Sequence, residues 1–189
     1  YESAIYYGQL LNSSTNIKEF NKVLDQLNIL GSKVIFPYFM LLLNLYDEGQ
    51  INSDYVVELA NTWESLLFRI RICHMGTNRL NKIVISLCDI QKETNSLSQS
   101  MYKFTKATFP DDKVFATNLM HLDIYNQRKH LAKLALMAVE ENRTKETIEF
   151  DDAQIEHIMP QHLNAAWRLQ VEHADRVNEQ LGNTIGNLT

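Results

Sequence analysis

A mainly α fold, in which a multi-helix bundle is followed by a short β-containing segment, is what this 189-residue chain predicts. Three observations carry that expectation. Six Gly and three Pro are few for this length, which favours long helices over turn-rich β architecture. Apolar residues recur at steps of three and four through most of the chain, the spacing of one helix face. At "ENRTKETIEFDD" the period shortens, and Ile148 and Phe150 alternate with polar neighbours as they would on a strand. The domain boundary is accordingly expected near there, with a helical domain over 1–146 and a smaller module over 147–189.

Residues 1–12 carry a short apolar helix pattern. In "SSTNIKEFNKVLDQLNILG", Asn16 with Glu19 three residues on reads as a capping box. Ile17, Phe20, Leu24 and Leu27 mark the buried face, and Gly31 suits the position just past the helix. Pro37 opens the next helix, whose Tyr38–Tyr46 stretch reads as core and which ends near "DEGQ". Ser53 and Asp54 start another, with Val56, Leu59, Ala60, Trp63, Leu67 and Ile70 on its inner face. Gly76 and Asn78 interrupt it. Leu80, Ile83, Val84, Leu87 and Ile90 form a further helix that continues weakly through "KETNSLSQS". "FPDD" is a loop leading to an N-cap at Asp111 or Asp112. Helical pattern resumes at Val114, Phe115, Leu119 and Leu122, and again at Leu131, Leu134, Ala135, Ala138 and Val139.

Composition narrows the function classes. The chain has 18 Lys and Arg against 23 Asp and Glu, a net charge of −5, and no run of basic residues, which argues against strong autonomous DNA binding. Cys73 and Cys88 form no CxxC pair and read as two buried thiols of a reducing, cytoplasmic setting. The richest apolar run, "VIFPYFMLLLNLY", is broken by Pro37 and Asn44 and is too short for a membrane span. No phosphate loop, GxGxxG, HExxH or GxSxG is present. His74, His121 and His130 lack an acidic partner at ligand spacing and read as partly exposed or hydrogen-bonded helix residues. Arg69 and Arg71 are expected at a helix C-terminus or in solvent, with Arg69 able to pair with a buried acid.

"IEHIMP" at 155–160 is the stretch that carries chemistry. A carboxylate directly before a histidine, on a strand ending at proline, puts Glu156 and His157 on opposite faces. Phosphodiester hydrolysis can use that division: one group deprotonates water while the other attends to a divalent ion. "EHIMPQ" is followed by the Trp of "AAW", a short acidic helix pattern and "LGNTIGNLT". This combination resembles the C-terminal HNH (ββα-metal) nuclease module of GmrSD-type restriction proteins. More loosely, the 34–142 region, with Glu64, Arg69, Asn78 and Asn81, resembles the helical region that precedes that module.

The resemblance implies a restriction or phage-defence endonuclease that cuts DNA with one divalent ion, Mg²⁺ or Mn²⁺. It implies His157 as general base, Glu156 as the residue that holds or orients the metal, and Asn187 as the middle residue of the HNH triad. It gives Pro160 the end of the first strand and Trp167 a packing role, with Gly–Asn–Leu–Thr as the second strand of a hairpin; His162 and His173 match no motif position. Since the chain begins at Tyr1 and stops at Thr189, it is expected to be a fragment that lacks the ParB-like N-terminal domain and the final helix with its metal ligand. Residues 151–189 hold two basic side chains, Arg168 and Arg176, against six acidic ones, so phosphate contacts are expected from that helix or another domain, and this piece should cleave little. A competing expectation is a helical interaction or regulatory module, homo-oligomeric through its amphipathic helices, with a degenerate nuclease tail.

Overall fold

The fold was obtained as a computed structural model that describes residues 2–94, 99, 109–143 and 153–189. Two compact units divide at Pro110/Asp111. The boundary expected at 146/147, the strand pattern of Ile148 and Phe150 and the weak helix through "NSLSQS" lie outside the described residues, except for Gln99, which is helical.

The first unit contains α1 (Glu2–Leu11), α2 (Lys18–Leu30), α3 (Phe36–Asp47), α4 (Ser53–Ile72) and α5 (Leu80–Thr94). Helices α2 and α4 pack together, and α3 contacts α1, α4 and α5. The inner faces are those the apolar spacing marks. Phe20, Leu24, Tyr38, Phe39, Leu42, Leu59 and Trp63 are fully buried, and the Phe20 and Phe39 rings meet edge to face at 5.1 Å. Gln91 of α5 is buried at 1% exposure and accepts from the hydroxyls of Tyr38 and Tyr55, 3.2 and 2.7 Å away. A buried amide is tolerated only with such partners.

The ends of these helices refine the expected punctuation. Asn16 and Glu19 do not form the capping box; Ile17 takes the N-cap position with no side-chain hydrogen bond. Asn21 instead accepts from the Thr15 N–H at 2.8 Å and donates to the Thr15 carbonyl at 2.9 Å, tying the entering chain to the first turn. Gly31 adopts φ 69°, where its N–H reaches the Asn28 and Leu27 carbonyls. Asn52, one residue before the expected start, caps α4 by accepting from the Tyr55 N–H. Arg71 donates to the Leu30 carbonyl at the end of α2, rather than to the C-terminus of its own helix or to solvent. Arg69 donates to the Pro110 carbonyl and lies 5.9 Å from the Phe109 ring centre. Cys73 and Cys88 are half-buried and form no disulfide. Among the described residues no helix is long and apolar enough to cross a membrane.

The second unit contains α6 (Asp112–His121), α7 (Ile124–Arg143), α8 (Ala165–Gln170), α9 (Ala174–Leu181) and a 3₁₀ turn, η1 (Ile185–Asn187). Asp111 caps α6, accepting from the Val114 N–H at 2.8 Å. No residue of α6 is fully buried; Phe115 and Leu119 are half-buried and Val114 is exposed. Helix α7 contains a non-helical residue, Arg128 (φ −153°, ψ 57°), after which Leu131, Leu134 and Ala135 face inward while Ala138 and Val139 are exposed. Arg168 of α8 grips Asp175 of α9 with hydrogen bonds of 3.0 to 3.1 Å. That hydrogen bonding raises the guanidinium's pKa and lowers the carboxyl's.

The expected β hairpin is not formed among the described residues. One isolated antiparallel bridge, His157 opposite Leu188, stands in its place. Glu156 and Thr189 exchange two backbone hydrogen bonds of 2.8 and 3.0 Å, and the Ile158 N–H reaches the Asn187 carbonyl at 2.9 Å. The ladder stops there for local reasons. Pro160 has no N–H to give. The next donor, the Met159 N–H, goes to the Asn187 side chain rather than to a backbone carbonyl. The segment preceding Leu188 is wound into η1 and cannot present an extended edge.

Candidate functional site

The closure of residues 155–160 against 182–189 builds the site. Asn187 acts as a side-chain substitute for a strand. Its Oδ1 accepts from the Met159 N–H at 2.8 Å, and its Nδ2 donates to the Met159 carbonyl at 2.9 Å and the Gly182 carbonyl at 2.7 Å. All these partners are backbone groups, so Asn187 clamps the Met159 peptide to the loop that follows α9. Asn178 of α9 adds a bond to the Pro160 carbonyl at 3.0 Å. The consequence is a fixed backbone at His157, two residues before Met159.

The His157 imidazole is half-buried. Its Nε2 lies 3.2 Å from Asn183 Oδ1, which also accepts from Gln161 Nε2 at 3.2 Å. An amide oxygen can only accept, so in this arrangement Nε2 carries the proton and Nδ1 is left as the basic nitrogen. The ring rests edge to face on Tyr125 of α7, with centres 4.5 Å apart and planes at 74°. Asn183 is itself anchored, because the Tyr125 N–H donates to its backbone carbonyl at 3.2 Å. Glu156 is exposed beside His157.

Both residues line a cleft of about 590 Å³. Residues 153–157 and Gln161 form part of its lining, and Tyr125, Lys129, His130 and Lys133 of α7 supply the rest. The Lys129 ammonium lies 3.3 Å from the Tyr125 hydroxyl and 4.9 Å from the centre of that ring. Cationic groups thus reach the cleft from α7 of this chain, whereas the charge count pointed to a following helix or another domain.

Of the residues expected to act, the cleft collects His157 and Glu156, while Asn187 stands behind them as a backbone clamp. Trp167 is half-buried on α8, where its N–H is capped by Asn164; His162 and His173 are exposed. Asn183, Tyr125, Lys129 and Lys133 escaped the motif reading. The signals for some of them were present: an asparagine four residues before Asn187, and the four-residue spacing of Lys129 and Lys133, which places two side chains on one helix face beyond the break at Arg128.

The described residues do not by themselves make a complete divalent-ion site. No three His, Cys, Asp or Glu side chains gather among them. Glu156 and His157 bring one carboxylate and one imidazole, short of the six oxygens a hard ion takes, some of which water can supply.

The second unit is thus a helical domain closed by one backbone bridge, with a histidine–carboxylate pair in a lysine-lined cleft. Residues 109–189 match the family described as GmrSD restriction endonucleases, C-terminal domain. The match spans the second unit and its approach, including α6 and α7 from the region of looser resemblance. No curated protein and no solved structure matches the chain.

Proposed function

We propose that this chain works in a restriction-type DNA endonuclease of HNH character, with His157 as the general base for phosphodiester hydrolysis. The observation that carries the reading is the His157 ring, oriented by Asn183 and Tyr125 in a cleft with Glu156, inside the stretch that matches a restriction endonuclease domain. A general base needs a basic nitrogen of fixed position, which an imidazole with its other nitrogen tied down supplies. In the proposed step Nδ1 takes a proton from water, the oxygen–phosphorus bond forms, and the bond from phosphorus to the leaving oxygen of the DNA strand breaks. Asn183 is a positioning residue for this chemistry, and Asn187 acts one step further back by holding the Met159 backbone. Glu156 is the proposed ligand of Mg²⁺ or Mn²⁺, a carboxylate being the donor type such hard ions prefer.

The test compares cleavage of duplex DNA by the protein and by its His157→Ala form, with Mg²⁺ and with Mn²⁺. Loss of the base is expected to slow cleavage by about 100-fold or more. Equal rates for the two forms reject His157 as the base.

A further inference from the structure

Tyr125 aside, the residues of α7 that line the cleft have no role in the chemistry above, and their charge is unlike that of the chain as a whole. In a protein of net charge −5, Lys129 and Lys133 stand one helical turn apart on the same lining as His157, with Glu156 the one carboxylate there among the described residues. Among the described residues neither lysine forms an ion pair with a carboxylate. Lys129 is instead held over the Tyr125 ring and against its hydroxyl, contacts that place the ammonium without neutralising it. Lys133 is half-buried along the same face. Two cations with no carboxylate partner among the described residues, set in a concave wall, raise the local concentration of anions even where the net charge is negative.

We infer that Lys129 and Lys133 form a phosphodiester-binding wall that holds the DNA backbone along α7. The inference rests on the proposed reading of the cleft as a DNA-cleaving site and assigns the part of the substrate that α7 recognises. Side chains four residues apart on a helix lie about 6 Å apart. Each ammonium rides on a flexible four-carbon stem, so both can reach phosphates of one strand beside His157. Lysine contacts of this kind carry no sequence information: they fix position and register.

The experiment is fluorescence anisotropy of a fluorescein-labelled DNA duplex, titrated with the protein over a series of salt concentrations without added divalent ion. Lys129→Ala/Lys133→Ala is compared with the unaltered protein and with Lys18→Ala/Lys22→Ala, which removes the same charge from the exposed side of α2. The α7 variant is expected to bind about tenfold more weakly for every duplex sequence, and the slope of log affinity against log salt is expected to fall by about 2. Far-UV circular dichroism and thermal melting establish that it is folded. Unchanged affinity and slope in the α7 variant, an equal loss in the α2 variant, or no duplex binding by the unaltered protein each overturns the assignment. The His157→Ala cleavage assay reports separately. Full cleavage there with lost binding in the α7 variant upholds the wall and rejects the base; abolished cleavage with unchanged binding does the reverse.

Discussion

Three asparagines divide the work of the cleft through their side-chain amides: Asn178 donates, Asn183 accepts and Asn187 does both. Asn178 and Asn187 bind only backbone, fixing Pro160, Met159 and Gly182 in place. Asn183 alone touches the imidazole. Its effect on the proposed base is electrostatic as well as geometric, and this can be read in a pH profile. Asn183→Asp puts a carboxylate where a neutral oxygen stood. A nearby negative charge favours the imidazolium, so in this variant the proposed base becomes available only at higher pH. The expected outcome is a shift of the acid limb of the pH–rate curve toward higher pH. A role confined to packing would lower the rate and leave that limb where it was.

At the scale of elements, the turn from α9 into η1 decides whether the site exists. Gly182 packs so tightly that a Cβ placed there would lie 2.5 Å from the Asn178 carbonyl oxygen, a backbone atom that cannot swing aside. The same residue's carbonyl accepts from Asn187. Gly182→Ala therefore pushes apart the last turn of α9 and the clamp on Met159 together. A cost of about 1–3 kcal/mol is expected, measured as a lower urea midpoint, along with weaker DNA cleavage. The hairpin expected from the sequence failed at this element for a related reason. Strand pairing needs a run of free backbone donors on both sides, and here the Met159 donor is taken by an amide side chain and Pro160 has none. The geometry at His157 survives because a side-chain clamp and one bridge meet the same backbone groups that a longer ladder would meet.

At the scale of the whole molecule, the two units differ in how they are held. The first buries large rings and aliphatic side chains from five helices, with Trp63, Tyr38, Phe20, Phe36 and Phe39 fully enclosed. In the second, α8 and α9 are short with few buried side chains, and amide clamps join the loops around them. Phe39→Ala removes a ring that meets Phe20 edge to face and leaves a cavity in a close-packed interior. Its expected cost of about 3–5 kcal/mol is a large part of the 5–15 kcal/mol that typically separates folded from unfolded protein. Chemical denaturation followed by circular dichroism should show the drop, and a change below about 1 kcal/mol would mean that this core is more loosely packed than the structure describes.

Much of this was legible in the residues alone. The helices of the first unit, the N-cap at Asp111, the breaks at Gly31 and Gly76 and the family that the last 81 residues match all follow from local spacing and motif, which are encoded close together along the chain. Local propensity also makes its own errors. Asn16 and Glu19 have the right types for a capping box, but Thr15 and Asn21 close the turn first. What only the tertiary structure decided was which distant groups share a cleft. His157 meets Tyr125 across 32 positions and Asn183 across 26, and the lysines of α7 join them. Residue spacing specifies which face of a helix is apolar, whereas the partner of a polar group depends on where the backbone brings it. For that reason "HIMP" and "GNLT" pointed to two segments that pack together, and folding alone brought Asn183, Tyr125 and the lysines of α7 to His157's cleft.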